Sequence, residues 1–398
     1  MKGFDLKIFL PLLLLVGIGL ALIYSSTIHP IPPGQAPQFA LKQLVWIGIG
    51  LILLVATYNI PPRFHLALSY IYYFAVLLLL VFLLARGGGR WIELGPFNLQ
   101  PSELAKLALI LGLARYLSAQ RIDLTHLKGF GPPLLLVVLP ALIILKEPDL
   151  GTALLLLILP LPMLWWAGMD PRNLFFLYSV ALSLVSASHW LAWGAFLTLL
   201  IVLLIHSSQS LLTKVGILLA NLAVGVLTPL IWSHLQGYQR QRVIAFLNPA
   251  RDPFRAGYQI IQSKIAVGSG GIWGKGFMQG TQAKLSFLPA QHTDFIFSVA
   301  GEELGLWGCL LILGLYLILL WGALKIAYRA KNPFSSLVAV GIASVFIIQV
   351  GVNVGMTLGM MPITGLPLPF LSYGGSAIIV DMIMVGLLLA INSRWREY

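Results

Sequence analysis

SHLQGYQRQRVIAFLNPARDPFRAGYQIIQSKIAVGSGGIWGKGFMQGTQAKLSFLPAQHTD, residues 233–294, is the one long stretch of this chain that a lipid bilayer does not claim. It carries Arg240, Arg242, Arg251, Arg255, Lys264, Lys275 and Lys284 against two acids, Asp252 and Asp294. The result is a cationic surface with isolated carboxylates in it. Turn-forming clusters (NPARDP, GSGG, GKG) punctuate short apolar pieces such as VIAFL and YQIIQ, so the stretch is expected to be ordered. A loop of this length in a compact membrane protein is usually functional.

Everything around it is apolar. The chain of 398 residues is 59% hydrophobic and 10% charged, which excludes a soluble globular class. Reading apolar runs of about 17 to 25 residues as single crossings places spans near 7–25, 40–58, 64–85, 102–119, 130–146, 150–168, 173–188, 189–206, 211–232, 295–322, 335–359 and 371–391. Ser186, Ser188 and His189 interrupt the middle of 173–206, which is either two short spans or one long tilted or re-entrant unit. The expected fold is therefore an all-α polytopic membrane protein of ten to twelve transmembrane helices, a single integral membrane domain over 1–398 with one large external loop over 233–294. Lys2 and Lys7 precede a first apolar run with no small-residue cleavage site after it, so it reads as a retained span. Cys309 stands alone, which leaves no intrachain disulfide and no cysteine metal site.

The formal charge of +12 reads as sidedness rather than as a nucleic-acid surface. With the N-terminus inside, the even-numbered loops and both ends gather most basic residues, among them Lys2, Lys7, Arg63, Arg115, Lys325, Arg329 and Arg394. The short odd-numbered loops and their edges hold only Lys42, Arg86, Arg90, Lys106 and Lys146. This bias predicts a multi-pass protein with both termini cytoplasmic. The long basic loop then lies outside, where a loop of this length is poorly governed by the rule. The polar stretches GGGRWIELGPFNLQPSE (87–103), KEPDLGT (146–152), the long loop and GLPLPFLSYGGS (365–376) all fall in odd-numbered loops. They share one face, so a functional site is expected to open outward.

Several residues there can carry chemistry. Asp252, between Arg251 and Arg255 and before a proline, is either a turn initiator or a carboxylate acting as base or metal ligand beside arginines that grip an anion. Glu103 suits a helix N-terminus, but Lys106 lies one turn deeper, where an ionisable group is a functional hypothesis by default. The pair is either structural or substrate-facing. Trp91 with Arg90 can be an interfacial anchor. Gly268 to Gly271 with Gly274-Lys275-Gly276 can bring backbone N–H groups to a phosphate, though no nucleotide-binding pattern surrounds them. His292 and Asp294 are two possible ligands, too few for a metal site. Glu302 and Glu303 need a cavity or a cationic partner, and Asp381, mid-span in IIVDMIM, has no obvious partner in the sequence.

The strings RWIELG, QPSELAK, EPDLGTA, YQRQRV, DP-x-x-x-GYQIIQSKIAVGSGG-x-x-GKG-x-x-x-GTQ, FLPAQHTDFIFSVAGEELG and NVGMTLGMMPITGLPLPFLSYGGS closely resemble the SEDS family (shape, elongation, division and sporulation). They follow in chain order over most of the sequence, and the GSGG…GKG…GTQ and NVGMTLGMMPITGLPLPF strings are closer to the elongation members than to the division members. The resemblance implies a SEDS-type helical bundle in the bacterial cytoplasmic (inner) membrane. The activity it implies is that of a peptidoglycan glycosyltransferase that polymerises lipid II outside that membrane, for cell elongation and rod shape. Its implied partners are lipid II, the nascent glycan strand, a class B penicillin-binding protein transpeptidase, other elongation-complex proteins and membrane lipids. By matching position, Asp252 falls on the family's essential loop aspartate, Trp91 on its RW tryptophan, and Glu103 with Lys106 on the QPSE-x-x-K acid and base. Arg255 departs from the glycine usual at its position.

That reading makes the reaction an inverting glycosyl transfer with Asp252 as general base. Trp91, Glu103, Lys106, Arg240, Arg242, Arg251, Lys264, Lys275, His292, Asp294 and Ser372 form the expected substrate-binding set. A divalent cation, Mg or Mn, can share the charge of the departing pyrophosphate. A lipid-linked precursor flippase and a noncatalytic scaffold of the cell-wall complex remain alternatives at this point.

Overall fold

The computed structural model describes residues 5–28, 38–87, 89–94, 97–119, 131–234, 237–249, 256–284, 288 and 290–394. Arg251, Asp252 and Arg255 lie outside the described residues. In hydrocarbon every backbone polar group must be satisfied within its own segment, so the apolar runs become helices. In order these are α1 (Leu6–Ile28), α2 (Gln38–Asn59), α3 (Pro62–Ala85), α4 (Pro101–Leu117), α5 (Gly131–Lys146), α6 (Leu150–Ile158), α7 (Pro160–Trp166), α8 (Pro171–Ser186), α9 (Trp190–Ile205) and α10 (Leu211–His234). The loop supplies α11 (Gly237–Leu247), α12 (Ala256–Gly270) and the single turn α13 (Thr281–Lys284). The chain then returns through α14 (Ile296–Arg329), α15 (Pro333–Thr357) and α16 (Gly375–Ser393). A two-stranded hairpin, β1 (Ile92–Leu94) and β2 (Phe97–Leu99), is antiparallel with Ile92 opposite Leu99.

Seven helices among the described residues are long and apolar enough to cross a membrane, and shorter apolar helices fill out the bundle. The expected all-α polytopic architecture is present. Residues 173–206 resolve into two helices, α8 and α9, joined at Ala187–His189. The spans differ in depth: 72% of the apolar window of α15 and of α16 is buried within the protein, against 11% for α10. Helices apolar all round occupy the centre, and α10, with its leucines facing outward, lies at the periphery. A separate small core of Phe176, Leu200 and Leu204 holds α8 to α9. Asn221 ties α10 to α8, donating to Ser179 Oγ (2.9 Å) and accepting at its carbonyl from Ser183 Oγ (3.0 Å).

The long loop is anchored by backbone rather than left free. Gly305, at φ 65° and ψ −163°, breaks α14 about two and a half turns after its start at Ile296. The turn after α12 docks into the break: Lys275 N–H donates to Glu302 O (2.9 Å), Gly276 N–H to Glu303 O (3.0 Å), and Leu306 N–H to Gly271 O (3.0 Å). A Cβ at Gly274 would lie 2.2 Å from Glu303 O, so only glycine permits this approach. The glycine-rich segment thus spends its Lys275 and Gly276 N–H groups on helix carbonyls. Its glycines serve chain packing at these positions, not a phosphate nest.

Candidate active site

A cavity of about 380 Å³ opens at the end of the bundle where α4 and α16 begin. Its walls draw on all four polar stretches singled out from the sequence: Arg90, Trp91, Asn98, Gln100 and Glu103 from the first, Asp149 and Thr152 from the second, Arg242, Thr293 and Asp294 from the loop, and Gly365, Pro367, Tyr373 and Gly374 from the fourth. Lys42 and Trp46 of α2 close it.

Local sequence explains how each wall is held. Pro101 takes the first helical position of α4, where its missing N–H costs nothing, and Glu103 follows in the first turn. Glu103 reaches the cavity, and one turn deeper Lys106 meets its Oε2 at 2.6 Å with both side chains essentially buried. Asp149 caps α6. It gathers Thr152 N–H (3.2 Å), Thr152 Oγ1 (2.9 Å), Gln100 Nε2 (3.1 Å) and Ser102 Oγ (3.1 Å), which locks the start of α4 to the start of α6. Arg90 crosses the same gap, its Nε donating to Glu147 O at 3.3 Å and its Nη2 to Pro148 O. Ser376 at the head of α16 accepts from Gln100 N–H (2.9 Å) and donates to Asn98 O (3.1 Å), fixing the hairpin over α16.

Asp294 is the loop's carboxylate in the cavity. Burial pushes its pKa up and Asp149 adds to the rise, while the guanidinium groups of Arg242 and Arg90 oppose it. Asn353 Nδ2 holds the backbone there, donating to Asp294 O (3.0 Å) and Leu366 O (2.9 Å). Arg242, on α11, donates to Thr364 O at 3.4 Å. His292 packs its ring on Phe39 (centroids 4.7 Å) and Tyr373 (5.7 Å), and burial lowers its pKa. Ser372 Oγ donates to Thr293 O (2.6 Å) and accepts from Leu368 N–H (2.8 Å), so it props the last wall rather than facing the cavity.

Of the residues expected from sequence, Trp91, Glu103, Arg242 and Asp294 line the cavity, and Lys106, His292 and Ser372 support its walls. Three cations do not reach the lining. Arg240 donates to Ser233 O, Lys264 is exposed on α12 beside Gly359, and Lys275 pairs with the buried Glu302 at 2.7 Å. Glu302 also accepts from Thr281 N–H (2.8 Å) and Gln282 N–H (3.1 Å), so the expectation of a cationic partner for this acid holds. Asp252 and Arg251 fall outside the described residues. Asp381 does have a partner: it is buried on α16, with the Lys106 ammonium and the Phe370 N–H as favourable neighbours and Glu103 as the repulsive one.

The structure adds Lys42, Arg90, Gln100, Asp149 and Tyr373 to the site. Asp149 and Tyr373 lay in stretches already marked as sharing one face, but nothing in the sequence separated them from neighbours that only turn the chain. Among the described residues no three His, Cys, Asp or Glu side chains cluster as a metal cage. The cavity carboxylates instead face protein cations and donors.

A polytopic helical bundle with a charged cavity at one end defines a multi-pass membrane protein. The chain belongs to the FtsW, RodA and SpoVE family of cell cycle proteins, whose model matches residues 5–194 and 192–397. It is 37% identical to the peptidoglycan glycosyltransferase MrdB of Escherichia coli (strain K12) over 390 residues, covering 96% of this chain and 93% of that one. It is equally similar to the peptidoglycan glycosyltransferase RodA of Treponema pallidum, at 37% identity over 99% of this chain and 98% of that one. Among solved structures, a chain from a study of polymerization and crosslinking by a peptidoglycan synthase complex aligns over 99% of both chains, at TM-score 0.73 and 30% identity. The rod shape determining protein RodA of Thermus thermophilus aligns over 98% of this chain and 97% of that one, at TM-score 0.64 and 27% identity.

Proposed function

We propose that this chain is a peptidoglycan glycosyltransferase that polymerises lipid II at the outer face of the bacterial cytoplasmic membrane, with both termini inside. The observation that carries the reading is the convergence of four separate polar stretches on one cavity at the membrane edge, in a chain whose relatives bear that activity. Lipid II has a polyprenyl tail that stays in lipid, a pyrophosphate at the interface and a hydrophilic sugar-peptide outside. Lys42, Arg90 and Arg242 at the cavity wall suit the pyrophosphate, Glu103 and Asp294 beside them suit the sugar-peptide, and the apolar helices around the cavity suit the tail.

In the reaction, the 4-hydroxyl of one N-acetylglucosamine attacks the anomeric carbon of the N-acetylmuramic acid of the other substrate. The bond from that carbon to the pyrophosphate oxygen breaks as the new glycosidic bond forms, and undecaprenyl pyrophosphate leaves. Asp252 takes the hydroxyl proton. Arg242, Arg90 and Lys42 meet the charge that develops on the pyrophosphate, where preorganised cations act most strongly. Trp91 offers a flat face to a sugar, and Glu103 and Asp294 accept hydrogen bonds from substrate hydroxyl or amide groups.

The natural partner is a class B penicillin-binding protein transpeptidase, in keeping with the synthase complex from which one structural match comes. The test is strand synthesis from labelled lipid II by the purified protein with that partner. Glycan strands are expected. Transfer of lipid II between leaflets without strands would point to a flippase, and neither activity would leave a scaffold.

A further inference from the structure

At the end of the bundle opposite the cavity, α1 and α14 cross closely. A Cβ at Gly322 would come within 2.8 Å of Ile8 Cγ1, so glycine is what lets the two helices touch there. Beside this contact runs a groove of about 480 Å³ walled by Leu10, Leu14, Leu315, Ile318 and Trp321.

Three cations line its rim: Lys7 in the first turn of α1, and Lys325 and Arg329 near the end of α14. Trp321, Lys325 and Arg329 are spaced four apart, one helical face leading from an aromatic wall to two positive charges. All three cations are exposed, and none forms an ion pair among the described residues. Asp5, the acid at the same rim, is already occupied by Asn392 Nδ2 (3.2 Å) and Lys7 N–H (3.0 Å). Lys325 and Arg329 repel each other at this spacing, and Lys7 sits at the positive end of the α1 dipole. A cluster of this kind is stabilised by an anion from outside the protein.

Any membrane groove is filled by acyl chains, so the question is which headgroup stands at its mouth. We propose that the groove is a binding site for an anionic diacyl phospholipid, with an acyl chain along the apolar walls and the phosphate held by Lys7, Lys325 and Arg329. Basic pockets between transmembrane helices recognise such headgroups by charge. The site lies at the other end of the bundle from the reaction cavity and does not depend on how that cavity is used.

Trp321 reports on its own groove. The full-length protein is reconstituted in phosphatidylcholine containing a small fraction of lipid with brominated acyl chains, either phosphatidylglycerol or phosphatidylcholine. The Trp321 signal is isolated by subtracting the Trp321→Phe protein. Quenching by the anionic lipid is expected to exceed that by the zwitterionic lipid several-fold, with the excess falling as salt is added. The double variant Lys325→Gln, Arg329→Gln should bring the ratio close to one while its thermal melt stays near wild type. Equal quenching by the two lipids in the wild type, or an excess that survives in a folded double variant, would overturn the proposal.

Discussion

Glu103 and Lys106 form a buried ion pair, 2.6 Å between Oε2 and Nζ, with one member in the cavity wall and the other wholly enclosed beneath it. Removing one partner strands a buried charge, a cost of about 3–5 kcal/mol, whereas removing both together can be neutral. Lys106→Met should be the worst single change, because it leaves Glu103 and Asp381 facing each other without a cation. Glu103→Gln with Lys106→Met should melt close to wild type yet polymerise slowly, since Glu103 is lost from the cavity. Melting and strand synthesis on the same preparations check this, and a stable, fully active double variant would return the pair to a purely structural role.

Asp381 gives the complementary case. Its neutral isostere in Asp381→Asn leaves Glu103 and Lys106 balanced, so stability should change by less than in Lys106→Met. A larger loss of melting temperature in Asp381→Asn would mean that Lys106 depends more on α16 than on its own helix.

Glu302 holds the loop to α14 through Lys275 and the N–H groups of Thr281 and Gln282. Glu302→Gln should loosen residues 270–284 more than Lys275→Met does, because the carboxylate is buried and serves several donors while the ammonium is partly solvated. Hydrogen exchange over this segment measures it. Equal protection in both variants would mean that the backbone ladder at Gly305 suffices alone.

Glu147, buried in the turn between α5 and α6, is pushed up to about 7 by desolvation, with Asp149 adding to the shift. The folded state therefore keeps a proton that the unfolded chain releases near its ordinary value of 4.5. Stability is greatest below that value, declines as pH rises towards about 7, and is flat above it. The total is on the order of a few kcal/mol. Glu147→Gln should flatten the decline and melt higher than wild type at pH above 7. An unchanged slope between acidic and neutral pH in that variant would assign the titration to another group.

How far the site was legible depended on the kind of signal. Helices followed from run length, and even the break near Ser186–His189 was visible because polar residues interrupt an apolar run. Glu103 and Lys106 were legible as a pair because both sit on one helix, three residues apart. Asp381 and Lys106 were not, since they meet only when α16 packs on α4, a relation with no local trace. The loop cations looked alike in sequence, yet α11 presents Arg242 to the cavity while Arg240 turns to Ser233 O. Lys275 looked like a phosphate ligand because the carboxylate that takes it, Glu302, lies 27 residues further on.

The most direct measurement of the central claim compares two arginines of one helix. Arg242 lines the cavity and Arg240 does not. If the cavity holds the reacting pyrophosphate, Arg242→Gln should slow single-turnover strand formation from lipid II by about 10²-fold, the scale seen when one preorganised stabilising group is lost. Arg240→Gln should remain near wild type, with both proteins melting alike. A severe loss in Arg240→Gln beside a nearly normal Arg242→Gln would contradict the assignment of this cavity as the place where glycan strands are made.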